Sequence, residues 1–269
     1  MRAIRLAMRD AVRQWVGCRR RGPRAAARGL LLAWAAAALL VCAPLPARAQ
    51  KSFSREYPAQ SNVRLFIYNR SGTVEVTAWD KNKVSVKATM ESRSAKMVPD
   101  ASGGAVSIDV RRDNREDVGD INFKIQVPVG SSIDISTMSG NITIRNVRGE
   151  MVRAVVSTAG DIELTGIRAH SVDVQNKIGK ILFDAELIRG GHYELNSLEG
   201  DIQIRVTAES GFRLVAVAPR TRNIDLNGFV GRGQFSYHNE KRKVIGTVGE
   251  GGALLNTTNG RGSIVFMPR

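Results

Sequence analysis

The chain has 269 residues, of which 40 are lysine or arginine and 25 are aspartate or glutamate, for a formal net charge of +15. Ten of the basic residues and only one of the acidic residues lie within residues 1–49, so the remaining 220 residues carry a net charge of +6. This small surplus does not indicate nucleic-acid binding. Both cysteines, Cys18 and Cys42, lie in the same first segment, which excludes a disulfide framework, a thiolate metal site and a cysteine nucleophile from the rest of the chain.

Residues 1–49 have the features of a cleavable, helical signal peptide. An arginine-rich stretch precedes an apolar run at 29–43, and small residues end at Ala49 in a typical cleavage pattern. We therefore expect cleavage after Ala49 and export to the periplasm, the cell surface or the extracellular space. A membrane anchor, which needs ~20 apolar residues, an organelle transit peptide and a lipoprotein signal acylated at Cys42 are the alternatives. Translation starting at Met8 would leave the expectation unchanged.

The rest of the chain shows the pattern of short β-strands. Apolar and polar residues alternate in VRLFIY, TVEVTAW, VSVKAT, AVSIDV, INFKIQV, SIDIS and NITIRNV, and Gly, Asn, Asp and Ser separate these runs. No segment sustains a helical stripe. A single all-β domain over residues 50–269 is predicted, and its length is sufficient for a continuous core.

A turn glycine returns along the chain and marks a repeat. The spacing from Gly140 to Gly160, Gly179 and Gly200 is 20, 19 and 21 residues. Each of these glycines precedes an alternating strand, which is typical of a tight turn between two strands. The predicted structural turn glycines are Gly72, Gly140, Gly160, Gly179, Gly200 and Gly262.

Apolar residues stand two and four positions after each turn glycine, with a mostly polar residue between them. Side chains of a strand alternate between two faces, so both apolar residues are expected to point inward. Arg222 takes the place of the glycine before one of these strands. In the coil at Gly160, Ala154 and Val156 are expected to provide the inward residues before the turn. The predicted core ladder consists of Ile142, Ile144, Ile162, Leu164, Ile181, Phe183, Ile202, Ile204, Ile224, Leu226, Ile264 and Phe266.

One repeat of about 20 residues cannot bury its apolar face alone, and stacking of successive repeats solves this. The predicted fold is therefore a β-solenoid, or β-helix-like, stack of coils; an antiparallel β-sandwich is the alternative. We expect an irregular section at about 81–129, with the charged turn RRDNRED at 111–117, regular coils at about 130–228 and a C-terminal closing segment at about 229–269. The irregular section and residues 229–252 are expected to cover the ends of the stack.

Several motifs together resemble a known family. They are AWD at 78–80, VPVG at 127–130, the repeated GDI before an alternating strand, and a final GxI coil. The chain resembles the bacterial β-strand repeat family of predicted adhesins, a domain of unknown function in exported and cell-envelope proteins. The resemblance implies a non-enzymatic adhesion or interaction module, and it brings no catalytic residues with it.

Acidic residues recur at equivalent positions and suggest an enzyme as an alternative. Asp161 and Asp201 lie in alternate coils, with Lys180 between them, and Asn141 precedes them. A separation of one or two coils would place such groups ~5 or ~10 Å apart, near the range of glycosidase carboxylate pairs. The competing interpretation is that Asp and Asn favour turns because they bond to the local backbone. A second, outward row consists of Asp134, Asp173 and Glu194.

The three histidines, His170, His192 and His238, do not predict a metal site, although the first two are expected to share a turn column. GEGG at 249–252 lacks the Lys and Ser or Thr of a phosphate-binding loop and is predicted to be a simple loop.

Two further features are candidates for ligand contact. EKRKV at 240–244, with Arg220 and Arg222, forms either a basic patch for anionic glycans or lipids or a solvated turn. Trp79, the one tryptophan after residue 49, could stack on a sugar, but packing at the end of the first coil is the interpretation we favour.

The sequence thus predicts a cell-envelope scaffold or adhesion module without catalytic activity, cofactor or metal. Its expected partner is an envelope protein or a glycan, with no nucleic acid and no stable transmembrane anchor after cleavage. A polysaccharide-acting enzyme that uses turn carboxylates is one alternative. Self-association through sheet edges into an end-to-end assembly is the other.

Overall fold

The structure is a computed structural model that describes residues 50–207 and 209–269; the predicted leader lies outside these residues. Within these two ranges nearly all the regular structure is β-strand, as the alternating sequence predicts, with one short helix, α1 (Val110–Asp113), and one 3₁₀ turn at Asn227–Phe229. In chain order the strands are β1 (Lys51–Pro58), β2 (Arg64–Asn69), β3 (Val74–Trp79), β4 (Lys83–Met90), β5 (Asp100–Ser102), β6 (Ala105–Asp109), β7 (Ile121–Pro128), β8 (Ser132–Ser139), β9 (Ile142–Arg145), β10 (Met151–Ala159), β11 (Ile162–Ile167), β12 (Ser171–Ile178), β13 (Ile181–Ala185), β14 (His192–Glu199), β15 (Ile202–Val206), β16 (Phe212–Val217), β17 (Ile224–Asp225), β18 (Gly233–His238), β19 (Lys243–Val248), β20 (Ala253–Arg261) and β21 (Ile264–Pro268).

The strands form two sheets. Sheet A has the order β1-β4-β7-β3-β9-β11-β13-β15-β21-β17, and sheet B has the order β18-β19-β16-β20-β14-β12-β10-β8-β2-β6-β5. Consecutive strands of a coil belong to different sheets, and the central strands pair in parallel with the strands of neighbouring coils. The fold is therefore a β-solenoid, and the antiparallel sandwich is wrong.

Each coil contributes one strand to each sheet. The described residues form eight such strand pairs: β2/β3, β6/β7, β8/β9, β10/β11, β12/β13, β14/β15, β16/β17 and β20/β21. Because their backbone N–H and C=O groups bond to the coils on either side, each coil inside the stack is satisfied by its neighbours.

The order of the coils in space differs from their order in the sequence. The pair β2/β3 lies between β6/β7 and β8/β9, and the final pair β20/β21 lies between β14/β15 and β16/β17. The prediction that 229–269 closes the stack is therefore wrong for β20/β21. The final coil has Gly262 and the ladder residues that match the coil of Gly200. The coil of β16/β17 has only a two-residue strand in sheet A. It is therefore a poorer partner for β14/β15 than the final coil is, and it lies on the far side of the final coil.

Antiparallel strands stand at both ends of the stack. At one end β4 pairs with β7 and β1 pairs with β4, while β5 pairs with β6 in sheet B. At the other end β19 pairs with β16, and β18 pairs with β19. The charged segment predicted as an exposed turn overlaps α1, which Asp109 caps by accepting a hydrogen bond from the Arg112 N–H at 2.9 Å.

The ladder residues lie inside, between the two sheets. Ten of them are at most 1% exposed: Ile142, Ile144, Ile162, Leu164, Ile181, Phe183, Ile202, Ile204, Ile264 and Phe266. Burial of one such side chain contributes about 1.5–3 kcal/mol.

The ladder weakens at its last strand. Ile224 is only half-buried in β17, and Leu226 is buried but stands after the strand, at the start of the 3₁₀ turn. Arg222, at the glycine position, has φ of +58°. An L-residue is strained in this conformation. The strand itself ends early because the 3₁₀ turn at Asn227–Phe229 follows it.

The register of β10 also differs from the expected one. Val152 and Ala154, not Ala154 and Val156, pair with Ile133 and Ile135 of β8, and the register shifts between Val156 and Ala159. A β-bulge therefore absorbs the extra residue of this coil before its turn.

Candidate functional site

The acidic turn column ties one coil to the next. The Asn141 Oδ1 accepts a hydrogen bond from the Asp161 N–H at 2.9 Å, and the Asp161 Oδ1 accepts one from the Lys180 N–H at 2.8 Å. In the same way the Asp201 Oδ1 accepts from the Ser263 N–H at 2.8 Å and from the Ser263 hydroxyl at 2.7 Å. These side chains satisfy backbone donors at the turns, which is the preference that places Asn and Asp there.

Asp201 is the carboxylate of this column whose acidity is most clearly changed. The two hydrogen bonds from Ser263 lower the pKa of Asp201, and they outweigh its partial desolvation. A general acid at neutral pH needs the opposite shift. The environment of Asp201 therefore favours an ionised turn residue at neutral pH.

We expect the Asp201→Asn variant to fold normally, because the amide oxygen can still accept the bonds from Ser263. A folded-state pKa below the unfolded value gives stability that is present above about pH 4 and is lost as the pH falls through the folded pKa. The stability advantage of the wild type over the variant should therefore be larger at pH 6 than at pH 2. Urea unfolding at both pH values measures this difference, and an equal advantage at both would contradict the assignment.

The outward acidic row is an ion-pair ladder on sheet B. Arg153 lies between Asp134 and Asp173, with its Nη1 and Nε each 3.2 Å from one of their carboxylate oxygens. Burial acts against the charge of Arg153, but the two carboxylates dominate and raise its pKa. Glu194 lies opposite Asp173 on the next strand and accepts a hydrogen bond from Asn196 at 2.8 Å. The row is brought together as expected, with a cation between two of its three acids.

The histidines do not converge on a common site. The His192 N–H donates to the His170 carbonyl at 2.7 Å, so these two lie on adjacent coils, while His238 ends β18. Within residues 50–207 and 209–269, no group of three or more His, Cys, Asp or Glu side chains is arranged to hold a metal ion.

The segment around EKRKV is a turn between β18 and β19. Arg222 lies 2.8 Å from Glu240, and Arg242 lies 3.9 Å from the same carboxylate. Asn239, Glu240 and Lys241 have positive φ angles. Glu240 thus offsets part of the positive charge, and Arg220 is exposed nearby in sequence. The GEGG segment is the turn between β19 and β20, in which the Gly251 N–H donates to the Val248 carbonyl at 3.1 Å.

Trp79 lies on the outer side of sheet A, at the end of β3. Its indole N–H donates to the Lys83 carbonyl at 2.8 Å, and the ammonium groups of Lys81 and Lys83 lie 4.9 and 5.7 Å from the ring centroid. A groove of about 440 Å³ begins beside this ring and continues to Arg148 and Arg168.

This convergence of tryptophan and arginines is the feature that sequence reasoning missed. The arginines of the second turns, at 148, 168 and 189, recur with spacings of 20 and 21 residues and were the available signal. The signal is imperfect, because Arg189 lines a different groove and pairs with Glu250 at 3.4 Å.

Among the described residues, no helix is long and apolar enough to cross a membrane. The fold and its faces define the class of protein: a two-sheet β-solenoid whose candidate acidic residues mainly connect neighbouring coils. A sequence profile of the Toastrack DUF4097 family matches residues 62–217 and, in a second overlapping match, 115–247. The chain belongs to this family, in agreement with the resemblance that its repeats indicate.

No curated protein matches the chain. Among solved structures, it is similar to a predicted cell adhesion protein from Clostridium sporogenes, with 10% identity, a TM-score of 0.44, and coverage of 82% of this chain and 100% of that one. A predicted adhesin from Bacteroides fragilis has 12% identity and a TM-score of 0.40, with 82% and 99% of the two chains covered. A predicted lipid-binding protein from Parabacteroides distasonis has 10% identity and a TM-score of 0.32, with 81% and 97% covered. Such low scores say nothing about what this chain binds.

Proposed function

We propose that this protein is an exported cell-envelope module that binds a partner through the outer surface of a rigid solenoid and catalyses no reaction. The observation that carries this proposal is that the regularly spaced acidic residues are already bonded to other groups of the protein. Asp161 and Asp201 bond to backbone N–H groups of the next coil, and Asp134 and Asp173 share one arginine. A glycosidase uses two carboxylates across a cleft, one of them an acid with a raised pKa. The pKa of Asp201 is lowered instead, and the other three carboxylates are bonded to a backbone N–H or to Arg153.

The stack also suits binding over an extended surface. Parallel strands repeat the same outward positions at ~4.8 Å intervals, so successive coils present regular rows of side chains. Repeat proteins commonly use such extended surfaces for recognition.

The edge strands at the two ends of the stack determine whether copies of the protein can assemble end to end. The outer edge of β1 carries Lys51, Arg55 and Glu56 and ends at Pro58, which are residues that oppose edge-to-edge pairing. The strand at the opposite end, β18, has the sequence GQFSYH and contains none of Lys, Arg, Asp, Glu or Pro. Filament growth requires two adhesive ends, and the charged edge of β1 disfavours one of them.

We expect the protein to co-sediment saturably with envelope fragments of the producing cell, and unlabelled protein to compete with labelled protein. We also expect no release of reducing ends from a panel of envelope polysaccharides. Cleavage that disappears in the Asp201→Asn or Asp161→Asn variant would overturn the non-enzymatic assignment. Absence of saturable co-sedimentation would overturn the binding role.

A further inference from the structure

A charged groove crosses the coils of sheet A where the strands end. It has a volume of about 440 Å³, and its lining includes Trp79, Asp80, Arg148, Arg168 and Glu186. A volume of this size falls within the usual range of small-ligand sites, about 300–1,000 Å³. The groove belongs mainly to the turns after β3, β9, β11 and β13, and Val129 after β7 and Arg269 after β21 complete its lining.

The groove is deep at its centre because two neighbouring coils place a glycine and an asparagine with positive φ angles there. Gly166 has φ of +66°, and a Cβ atom at this position would lie 2.6 Å from the Asn146 Oδ1. Asn146 itself has φ of +60°, a conformation that Asn tolerates better than most residues. A larger residue at position 166 would therefore displace Asn146 and fill the groove.

Arg148 and Arg168 occupy equivalent positions on neighbouring coils. The Arg148 N–H donates to the Val129 carbonyl at 2.8 Å, and the Arg168 N–H donates to the Val147 carbonyl at 3.0 Å. The next coil places Glu186 in the same column, since its N–H donates to the Ile167 carbonyl at 2.9 Å. The backbone ladder thus holds two guanidinium-bearing residues ~5 Å apart along the groove.

The two arginines differ in how far their charge is compensated. The Arg168 Nε lies 3.5 Å from the Glu186 Oε1. Arg148 is exposed, and no carboxylate of the described residues lies within ion-pair distance of it. Its planar guanidinium therefore presents a fork that matches an incoming carboxylate.

The other groups around the groove narrow the class of ligand. The Asn146 amide, Asp80 and Glu186 can exchange hydrogen bonds with hydroxyl groups, and the indole of Trp79 lines one end of the groove. An acidic peptide offers few hydroxyl groups to these partners, and a polyphosphate offers no ring face to the indole. A sugar chain that carries both hydroxyls and carboxylates suits all of these groups.

We propose that this groove binds an acidic oligosaccharide, with Arg148 contacting a sugar carboxylate and Trp79 packing against a sugar ring. The proposal rests on the proposed binding function and names the ligand class of one surface. The Lys81 ammonium lies 4.9 Å from the Trp79 ring centroid and adds a positive charge next to the indole.

Isothermal titration calorimetry at low salt, with an oligogalacturonate as the probe, tests this assignment on the protein isolated from the producing cell. We expect measurable binding that weakens as salt is raised, and much weaker binding of a neutral oligosaccharide of equal length. The Arg148→Ala variant should bind about tenfold or more weakly, because it loses a charge-assisted hydrogen bond. Arg148→Lys should retain part of the affinity, since it keeps the charge but not the fork.

Arg189→Ala is the matched control, because Arg189 is an exposed turn arginine outside this groove. It should leave the affinity unchanged, and all variants should show the thermal unfolding of the wild type. Three results would overturn the proposal: no binding of oligogalacturonate, equal affinity of the Arg148→Ala variant, or equally tight binding of poly-L-glutamate. If the protein still co-sediments with envelope fragments, such a result removes the groove assignment alone and leaves the proposed function standing.

Discussion

The Ile202→Asp variant is expected to lose about 4 kcal/mol or more of its free energy of unfolding. Ile202 is fully buried in β15, where it pairs with Ile181 on one side and Ile264 on the other. A carboxylate at this position would lie between the apolar side chains of Ile181 and Ile264 and would lose most of its hydration. Because domains are stable by only about 5–15 kcal/mol, much of the population could unfold at physiological temperature.

Gln203→Asp is the matched control, since it places the same side chain one residue further along the same strand. Gln203 points outward, and its direct neighbours on the adjacent strands, Leu182 and Val265, carry no charge. This variant should differ from the wild type by about 0.5 kcal/mol or less. Chemical denaturation with circular dichroism compares the three proteins. Equal stability of the two variants would show that the inward phase of the ladder is misassigned.

The sequence predicts the interior of this fold well because two strong signals coincide. The period-two alternation identifies inward residues such as Ile142 and Ile162, and the recurring glycines locate the turns between strands. Both signals are local, because each depends on residues within one coil. The solenoid follows from them, since a coil with one apolar interior must stack to bury its backbone.

The spatial order of the coils is not a local property, and here the prediction is wrong. No local pattern within residues 253–268 predicts that this coil inserts between two earlier ones. The relevant competition is between two candidate neighbours for β14/β15: a coil with Gly262 and a full strand, or a coil with Arg222 and a two-residue strand. Only a comparison of the pairing quality of both coils would have suggested the insertion.

The groove at Trp79 could not be predicted from the sequence for a related reason. Its lining residues extend from Ala78 to Arg269, up to 191 positions apart in the sequence, and no short motif joins them. The turn acids, by contrast, form a conspicuous repeat, but they bond to neighbouring backbone groups. In a repeat protein, regular recurrence of a polar residue indicates an architectural role first, and an irregular convergence of residues is the better guide to a binding surface.

The Gly140→Ala variant should lose about 3 kcal/mol or more of its stability. Gly140 has φ of +106°, and a Cβ atom there would lie 2.2 Å from the Gly72 carbonyl oxygen of the adjacent coil. The same relation links Gly160 to Gly140 and Gly179 to Gly160, with distances of 2.1 Å. The glycines thus form a column in which each backbone touches the next, so one methyl group would push neighbouring coils apart.

Gly190→Ala separates the two contributions to this loss. Gly190 also has a positive φ, of +78°, but a Cβ atom there would have no neighbour within 4 Å. Its substitution should therefore cost only the conformational strain of alanine, about 1–2 kcal/mol. Thermal and urea unfolding of both variants give the comparison. A loss at Gly140 no greater than the loss at Gly190 would show that strain of φ alone selects glycine in the column, and that the close approach of the coils can relax around a methyl group.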